Sequence, residues 1–519
     1  MRSWFASKLA LISLLALASP VAAARSAADG MACLRATDLS CAQSVRDELL
    51  QRSPDAPDTL LLQARTLFHE GSYDEALEIV EQLQAAGAEV DAYTPYAATA
   101  AAAQGLLEAE GTGLRVRHDR GVDRVLAEEA VETLQASRDT YDRLFGGGPD
   151  HTVVLDIYPT ASRFTAASGL PPEAVRTTGV IALSKWNRLL LTSPRALARG
   201  YNWKDTVAHE YIHLVVSWRS GDRTPVWLQE GLAKHLEGEW RGGRAAYLSV
   251  HQQSLLATAI RDDAFVPFEK FQRSMAYLDS GEEAALAFAQ VATMVHFLTT
   301  QAGDAVLPRL LDRIRDGQPS EEAVAELAGF EDFEAFRAGW KVFIAKLPLV
   351  QEQLAAMPVV LDGEGDEFAS DPLLAARADL VRFARLGDLL REAGRHDAAL
   401  VEYKKARDPA APPSPMLMSR EAVCLRELGR DDEAMAVVDE GIGLYPEYPL
   451  LLVTAGELRE ALGQPAEAVE AFKVAHDLNP FNPSVQDALA RNYATLGLDE
   501  QAARHLRYAR ILATGGAID

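Results

Sequence analysis

Two histidines and a glutamate stand at a spacing that suits metal chemistry. His209 and His213 lie four residues apart in the segment Trp203 to Trp218, whose apolar pattern predicts a helix. Residues four apart share one face of a helix, so both imidazoles can reach the same metal ion. Glu210 is turned one residue away from that pair, where its carboxylate can reach a water on the metal. This HExxH arrangement predicts a hydrolytic zinc centre with Glu210 as the catalytic base.

A catalytic zinc needs a third protein ligand and an open position. Glu230 follows His213 by 17 residues, in the predicted helix Val226 to Gly238. The intervening Arg219 to Pro225 is a turn that lets this helix fold back antiparallel. We also expect Gly231 to permit a close helix contact beside the ligand. The sequence therefore predicts one zinc ion per chain, held by His209, His213 and Glu230.

Two sequence segments resemble a known family. HEYIH at residues 209–213, followed by PVWLQEGLA at residues 225–233, is similar to the peptidase-MA-like domain of the gluzincin metallopeptidases, which include thermolysin. The resemblance covers roughly Gly113 to Leu347. It implies an α+β, thermolysin-like domain in which a mixed sheet packs on the HExxH helix. By analogy, an edge strand receives the substrate backbone, and the candidates are Gly179 to Leu183 and Arg188 to Thr192.

The sequence departs from the family pattern at two positions. Phe288 stands where the family often has a tyrosine that stabilises the oxyanion. Three residues could substitute, and the sequence does not choose among Tyr247, Tyr277 and His296. Lys234 occupies the position of a carboxylate that often orients the first histidine ligand, which leaves Glu237, a further turn along, as a replacement.

The C-terminal third is built from a repeat of about 34 residues. Glycines recur there in phase with alanines five places later: Gly394, Gly429, Gly463 and Gly497 with Ala399, Ala434, Ala468 and Ala502. This pattern resembles the tetratricopeptide repeat (TPR), an all-α solenoid in which glycine closes the turn between two helices. Residues 60–87 contain a similar unit, with Gly71, Tyr73 and Ala76 in the same relative places. Tetratricopeptide arrays generally offer a groove to a protein partner.

Composition shifts divide the chain into five predicted parts. They are a signal peptide (1–24), a helical repeat-like region (25–112), the peptidase-like domain (113–350), a linker rich in glycine and acidic residues (351–374) and the C-terminal array (375–519). Residues 151–158, 179–183 and 188–192 are expected to be strands. Residues 203–218, 226–238 and 284–300 are expected to be helices. Tyr93 to Glu110 is alanine-rich and is also expected to be helical.

The first residues are typical of an export signal. Arg2 and Lys8 precede the apolar run Leu9 to Ala18, and small residues follow at Ala22 to Ala24. No later run is long and apolar enough to span a membrane. Export to the periplasm is therefore expected, with no integral membrane segment after signal cleavage. Cys33 and Cys41 would be free to pair in that oxidising compartment.

The net charge of -24 makes nucleic acid a poor partner, because an acidic surface repels phosphate backbones. We therefore expect an exported zinc metallopeptidase that hydrolyses peptide bonds and recruits substrate or partner proteins through its repeats. The alternative is a scaffold in a cell-envelope complex whose peptidase domain no longer cleaves. The sequence leaves open the substrate, the choice between internal and terminal cleavage, the repeat partner and the oligomeric state.

Overall fold

The computed structural model describes most of the chain. The described residues are 25–88, 93–171, 179–242, 247–272, 275, 278–351, 377–407 and 412–516, with 354, 357, 360, 361, 368, 371 and 373–375. The predicted signal peptide, Tyr277 and most of the predicted linker lie outside them. None of the described helices has both the length and the apolar character that a membrane span requires.

A mixed sheet of five strands carries the site. Its strands are β1 (Leu107–Gly111), β2 (Leu114–His118), β3 (Val153–Tyr158), β4 (Ala182–Lys185) and β5 (Arg188–Thr192), in the order β1-β2-β3-β5-β4. β2, β3 and β5 run parallel, whereas β1 and β4 are antiparallel to their neighbours. Strand β3 is buried along its whole length, as its β-branched sequence predicts for an interior parallel strand.

The position of β5 corrects one expectation. Arg188 to Thr192 was a candidate for the edge strand, but β5 is hydrogen-bonded to β3 on one side and to β4 on the other. Its backbone groups are already used in the ladder, so it cannot receive a substrate strand. Of the two candidate segments, only β4 lies at an edge of the sheet.

Ten helices are described between β2 and the linker. They are α6 (Arg124–Phe145), α7 (Ala161–Ser168), α8 (Trp203–Ser220), α9 (Val226–Leu236), α10 (Val250–Asp262), α11 (Phe268–Phe271), α12 (Gly281–Ala302), α13 (Val306–Arg315), α14 (Ser320–Ala328) and α15 (Phe333–Ile344). The predicted helices at residues 203, 226 and 284 correspond to α8, α9 and α12. One face of the sheet packs with α6, α8, α9 and α12 in a single large core.

Five helices precede the sheet. They are α1 (Ala27–Arg35), α2 (Leu39–Arg52), α3 (Pro57–Glu70), α4 (Tyr73–Ala85) and α5 (Tyr93–Ala103), and a Cys33–Cys41 disulfide joins the first two. The expected helix to Glu110 is wrong beyond α5, because residues 107–111 form β1. Pairing with β2 provides these residues with hydrogen-bond partners that an alanine-rich local pattern does not reveal.

The N-terminal helices dock on the second face of the sheet through buried polar groups. Asp156 of β3 accepts hydrogen bonds from Tyr73 and from Arg117, whose Nε lies 2.7 Å from the carboxylate. The Arg117 guanidinium also donates to the carbonyl of Gly71 at 2.8 Å. Arg188 lies fully buried beside them, 3.8 Å from Asp156. The turn between α3 and α4 is therefore fixed to the strands.

Four helical hairpins form the C-terminal array. Their helices are α16 (Ala378–Glu392), α17 (His396–Lys405), α18 (Pro415–Glu427), α19 (Asp431–Leu444), α20 (Pro449–Ala461), α21 (Pro465–Leu478), α22 (Pro483–Thr495) and α23 (Asp499–Ala513). The four repeating glycines lie in the turns within hairpins with φ between 70° and 74°, a conformation that favours glycine. The four matching alanines are buried where the helices meet, so the predicted helical repeats are confirmed.

The array packs directly on the sheet-containing domain. Lys204, in the first turn of α8, places its Nζ 2.7 Å from Glu129 of α6 and 2.6 Å from Asp477 of α21. His476 lies 2.9 Å from the same Glu129 carboxylate. The Lys204 ammonium therefore offsets the negative charges of the Glu129 and Asp477 carboxylates, which both contact it. The helix that carries the HExxH segment is thus tied to the repeats at its N-terminus.

Candidate metal centre

Local sequence signals define the helix α8. The Asn202 side chain accepts a hydrogen bond from the backbone of Asp205 and caps the first turn, where Asp205 also complements the helix dipole. Gly221 ends the helix with φ 64°. The apolar residues Val207, Ile212 and Val215 are buried in the core. This packing holds the helix so that the face with His209 and His213 turns toward α9.

The three predicted ligands meet at one point. His209 Nε2 and His213 Nε2 lie 3.1 Å apart, and Glu230 Oε2 lies 3.5 Å and 3.6 Å from them. Zinc bonds of roughly 2.0–2.2 Å in a tetrahedron separate ligand atoms by about 3.4 Å. The nitrogen and carboxylate donors are also those that zinc prefers. The residues present therefore fit a zinc ion in both donor type and spacing.

Helix α9 brings Glu230 to this point by packing closely on α12. A Cβ built on Gly231 would lie 2.8 Å from the backbone oxygen of Val291 and 3.0 Å from the side chain of Val295. Only a residue without a side chain allows this approach. The expected close helix contact at Gly231 is present, and it fixes the helix that presents the carboxylate.

Two side chains orient the imidazoles through contacts at Nδ1, the ring nitrogen away from the shared point. His209 Nδ1 lies 3.0 Å from Glu237 Oε2, and His213 Nδ1 lies 3.1 Å from Gln229 Oε1. With the oxygens as acceptors, both Nδ1 atoms carry hydrogen and both Nε2 atoms are left for a metal. Lys234 also binds the Glu237 carboxylate. Glu237 thus orients His209, the role that the family often gives to a carboxylate at the position of Lys234.

Glu210 lies beside the ligands and is buried, at 7% exposure. The edge strand β4 packs against α8. Burial raises the pKa of Glu210 above its ordinary value, partly offset by His213 and His209 and by the backbone N–H of Ser184 in β4, which lower it. The carboxylate is therefore in a position and an environment suited to accept a proton.

The charges of the ligands are strongly coupled. Burial opposes ionisation of His209, but hydrogen bonds to Glu230 and Glu237 raise its pKa to about 10. For Glu230, burial would raise the pKa, yet His213 and His209 hold it far below its ordinary value. Carboxylates thus stabilise positive charge at the point where a cation would bind.

Two of the three candidate oxyanion residues, Tyr247 and His296, contact each other. Tyr247 Oη is 2.6 Å from His296 Nδ1, and His235 stacks on His296. His235 follows Glu230 by five residues on α9, so it projects about 140° around the helix from the ligand. Tyr247 also lies against His235, with 4.8 Å between the ring centroids. Tyr277 lies outside the described residues, and Phe288 is a half-buried residue of α12.

Two residues near the ligands were not predicted from the sequence. Gln229 precedes the glutamate ligand and joins His213 to Ser217, whose hydroxyl lies 3.0 Å from Gln229 Nε2. Its place directly before Glu230 could have identified it. Tyr201 donates to the carbonyl of Thr192, and its pKa is raised by burial and then by the nearby Glu210 carboxylate. No local pattern marks Tyr201, since its proximity arises from the fold.

The matching family model covers the helices that carry the site. Residues 137–346 match the model described as Peptidase MA superfamily. The match begins within α6 and ends just after α15, so it includes His209, His213 and Glu230. This part of the chain is therefore similar to the Peptidase MA superfamily.

No curated protein matches the chain. Among solved structures, one described as "Crystal structure of MamA" is 17% identical, with 27% of this chain and 82% of that chain covered and a TM-score of 0.24. A second, "MamA 41-end from Desulfovibrio magneticus RS-1", is 18% identical, with 27% and 78% covered and the same TM-score. Likeness at this level carries no inference about activity.

Proposed function

We propose that this chain is an exported, zinc-dependent peptidase of the gluzincin type, with helical repeats that recruit a substrate or partner protein. The spacing of His209, His213 and Glu230 around one point carries the proposal, because it matches the distances between zinc ligands. The family match at residues 137–346 supports it independently. Export is supported by the signal-like first residues alone, and the periplasm is the proposed destination.

Each side chain of the site has a separate role in peptide hydrolysis. His209, His213 and Glu230 would hold the metal, and Glu237 and Gln229 keep the two imidazoles aimed. A bound zinc ion would polarise the scissile carbonyl and make water a better nucleophile. Glu210 accepts the proton from the attacking water and delivers it to the leaving amine. The exposed edge of β4, beside Glu210, is the surface on which an extended peptide would lie.

Metal content and cleavage test the proposal together. Residues 25–519 are expected to retain one zinc ion per chain by elemental analysis and to cleave an unfolded protein until a chelator is added. Glu210→Gln should keep the zinc and lower the cleavage rate by at least 100-fold. His213→Ala should lose both, whereas His251→Ala, a histidine on α10 bonded to the Leu354 carbonyl, should lose neither. A wild-type chain without zinc would overturn the proposal.

A non-cleaving scaffold is the second candidate function. It is favoured by Phe288 in place of the family tyrosine and by the engagement of Tyr247 and His296 with each other. Under this reading the protein binds zinc stoichiometrically but cleaves neither unfolded proteins nor peptides. The zinc measurement alone does not separate the two functions, but the Glu210→Gln comparison does, because only an active enzyme loses activity on that change.

A further inference from the structure

We propose that a cavity beside the metal centre binds a carboxylate of the peptide substrate and so gives the enzyme a preference for acidic or C-terminal sequences. This inference rests on the proposed peptidase function and specifies its substrate class. The cavity has a volume of about 480 Å³. Its walls come from α1, α3 and α5 on one side, and from the β4–β5 turn and α8 on the other.

The cavity adjoins the catalytic groups. Ser184, in the strand that packs against α8, lines it together with Leu214, the neighbour of His213. Ser217 also lines it and contacts Gln229, which in turn holds His213. Each of these wall residues is one or two contacts from a group of the metal centre. A peptide cleaved there would therefore extend directly into the cavity.

Its charge is opposite to that of the protein. Three cationic side chains line the cavity, Arg35, Arg65 and Lys185, against one carboxylate, Asp222. The chain as a whole carries a net charge of -24. Burial raises the pKa of Asp222 above its ordinary value, which Ser217 only partly offsets, so its negative charge is disfavoured there. A cluster of cations in an acidic protein attracts anionic groups selectively, because the rest of the surface repels them.

The β4–β5 turn is shaped to face the cavity. Trp186 and Asn187 form a two-residue hairpin turn with φ of 55° and 58°, which is unfavourable for a residue as large as tryptophan. The Trp186 indole is held against Phe68 at 5.1 Å between ring centroids and beneath the Lys185 ammonium at 4.1 Å. These contacts keep the turn directed toward the N-terminal helices, where the cavity lies.

One buried polar atom in this wall has no partner. Asn187 is only 4% exposed, and its amide nitrogen lies 3.0 Å from His69 Nδ1. Its Oδ1 has no hydrogen-bond partner among the described residues. The bond to His69 of α3 holds the Asn187 side chain and so fixes the β4–β5 turn at the wall of the cavity.

The distance along the strand limits where the carboxylate lies. Ser184 is beside Glu210, and Trp186 is two residues farther along, at about 3.3 Å per residue of extended chain. The bound carboxylate is therefore within roughly one to three residues of the scissile bond. It can belong to an aspartate or glutamate side chain or to the free C-terminus of the peptide, since both present the same group.

Peptide binding tests the inference without requiring cleavage. The probe is a fluorescein-labelled nine-residue peptide series in which one position at a time carries Glu or Gln, each made with a free or an amidated C-terminus. Affinities are measured by fluorescence anisotropy on full-length Glu210→Gln protein in the presence of zinc. At one or two adjacent positions, or at the free C-terminus, the carboxylate peptide should bind about tenfold more tightly.

Variants of the basic wall then assign that preference to the cavity. Arg35→Glu changes an exposed side chain at the end of α1, and Arg65→Gln removes a second charge without reversing it. Each should reduce the preference toward onefold while leaving the affinity of the Gln peptide unchanged. Arg261→Glu, whose bonds go to the neighbouring Asp262, is the matched charge control and should keep the preference.

The possible results separate this inference from the proposed function. Equal binding of Glu and Gln peptides at every position and both termini, or a preference that survives Arg35→Glu and Arg65→Gln, would overturn the carboxylate site. Zinc content and cleavage are measured in parallel on wild-type protein. A carboxylate preference without cleavage would keep the cavity and refute the peptidase, whereas cleavage without a preference would do the reverse.

Discussion

At the scale of single residues, the metal centre depends on side chains that do not contact the point where the three ligand atoms meet. His209 and His213 could each rotate about their side-chain bonds. The hydrogen-bond partner of Nδ1, the ring nitrogen that faces away from the metal, fixes the orientation of each ring. Glu237 holds one ring and Gln229 the other, at 3.0 Å and 3.1 Å. A carboxylate on Nδ1 also makes the imidazole a stronger ligand. The two rings are therefore unequal, with His209 the more strongly supported.

Replacing Glu237 by alanine should accordingly weaken zinc binding. Loss of the acceptor frees the His209 ring and leaves the Lys234 ammonium near the site without its carboxylate partner. We expect zinc affinity to fall about 10- to 100-fold, measured by competition with a chromophoric chelator. Glu334→Ala, an exposed carboxylate paired with Arg337 on α15, is the control. An unchanged affinity in Glu237→Ala would show that the hydrogen bond does not orient the ligand.

At the scale of helices and strands, the contact between α9 and α12 decides whether Glu230 can reach the histidines. Gly231→Ala should lower the free energy of unfolding by about 1–3 kcal/mol, because the new methyl group meets a backbone oxygen that has little freedom to move. Zinc affinity should fall as well, since α9 must shift. The measurements are urea unfolding and zinc competition.

Gly443→Ala provides the opposite case for comparison. Gly443 is an exposed residue of α19, and an added Cβ there meets nothing within 4 Å. Alanine in a helix is favoured over glycine by about 0.5–1 kcal/mol, so this variant should be more stable than wild type. If both variants changed stability in the same direction, the packing argument for Gly231 would fail.

Elements with a strong local pattern were predictable from the sequence. The HExxH helix has a capping Asn202 and a terminal Gly221, and the repeat glycines need the left-handed conformation, so short segments alone specify them. Strand β1 was missed because its pairing with β2 decides its structure. The interior place of β5 was missed for the same reason, since strand order depends on partners distant in sequence.

The residues of the site differ in the same way, because some have a local sequence signal and others are placed by distant contacts. His209, His213 and Glu230 were identified because two of them share a helix face and the third follows in a recognisable segment. Tyr201 and the cavity wall from α1 and α3 were not. Tyr201 is positioned by its bond to Thr192 of β5, and α1 and α3 reach the site only after they dock on the sheet. Local patterns thus predict the groups that perform chemistry better than those that select a substrate.

At the scale of the whole molecule, a buried charge cluster joins the repeats to the HExxH helix. Glu129 is 5% exposed and contacts both Lys204 and His476. Burial would raise its pKa, but the adjacent His476 and Lys204 lower it well below the ordinary value near 4.5. A lowered pKa in the folded state means that Glu129 stabilises the fold fully above pH 4.5 and loses this contribution as the pH falls below it.

Glu129→Gln should therefore destabilise the protein in a pH-dependent way. At pH 7 it removes one partner of a buried ion pair and leaves Lys204 with Asp477 alone, which costs about 3 kcal/mol or more. As the pH falls below 4.5, the unfolded chain binds a proton at Glu129 more readily than the folded chain, so the wild-type advantage shrinks progressively toward the lowered pKa and the gap between the two melting temperatures should narrow. Thermal unfolding at pH 7, 4 and 3 measures this, with Glu132→Gln, an exposed partner of Arg504, as a control expected to change stability by less than about 1 kcal/mol. A stability difference that stayed constant with pH would mean that the charge of Glu129 does not hold the repeats to the domain.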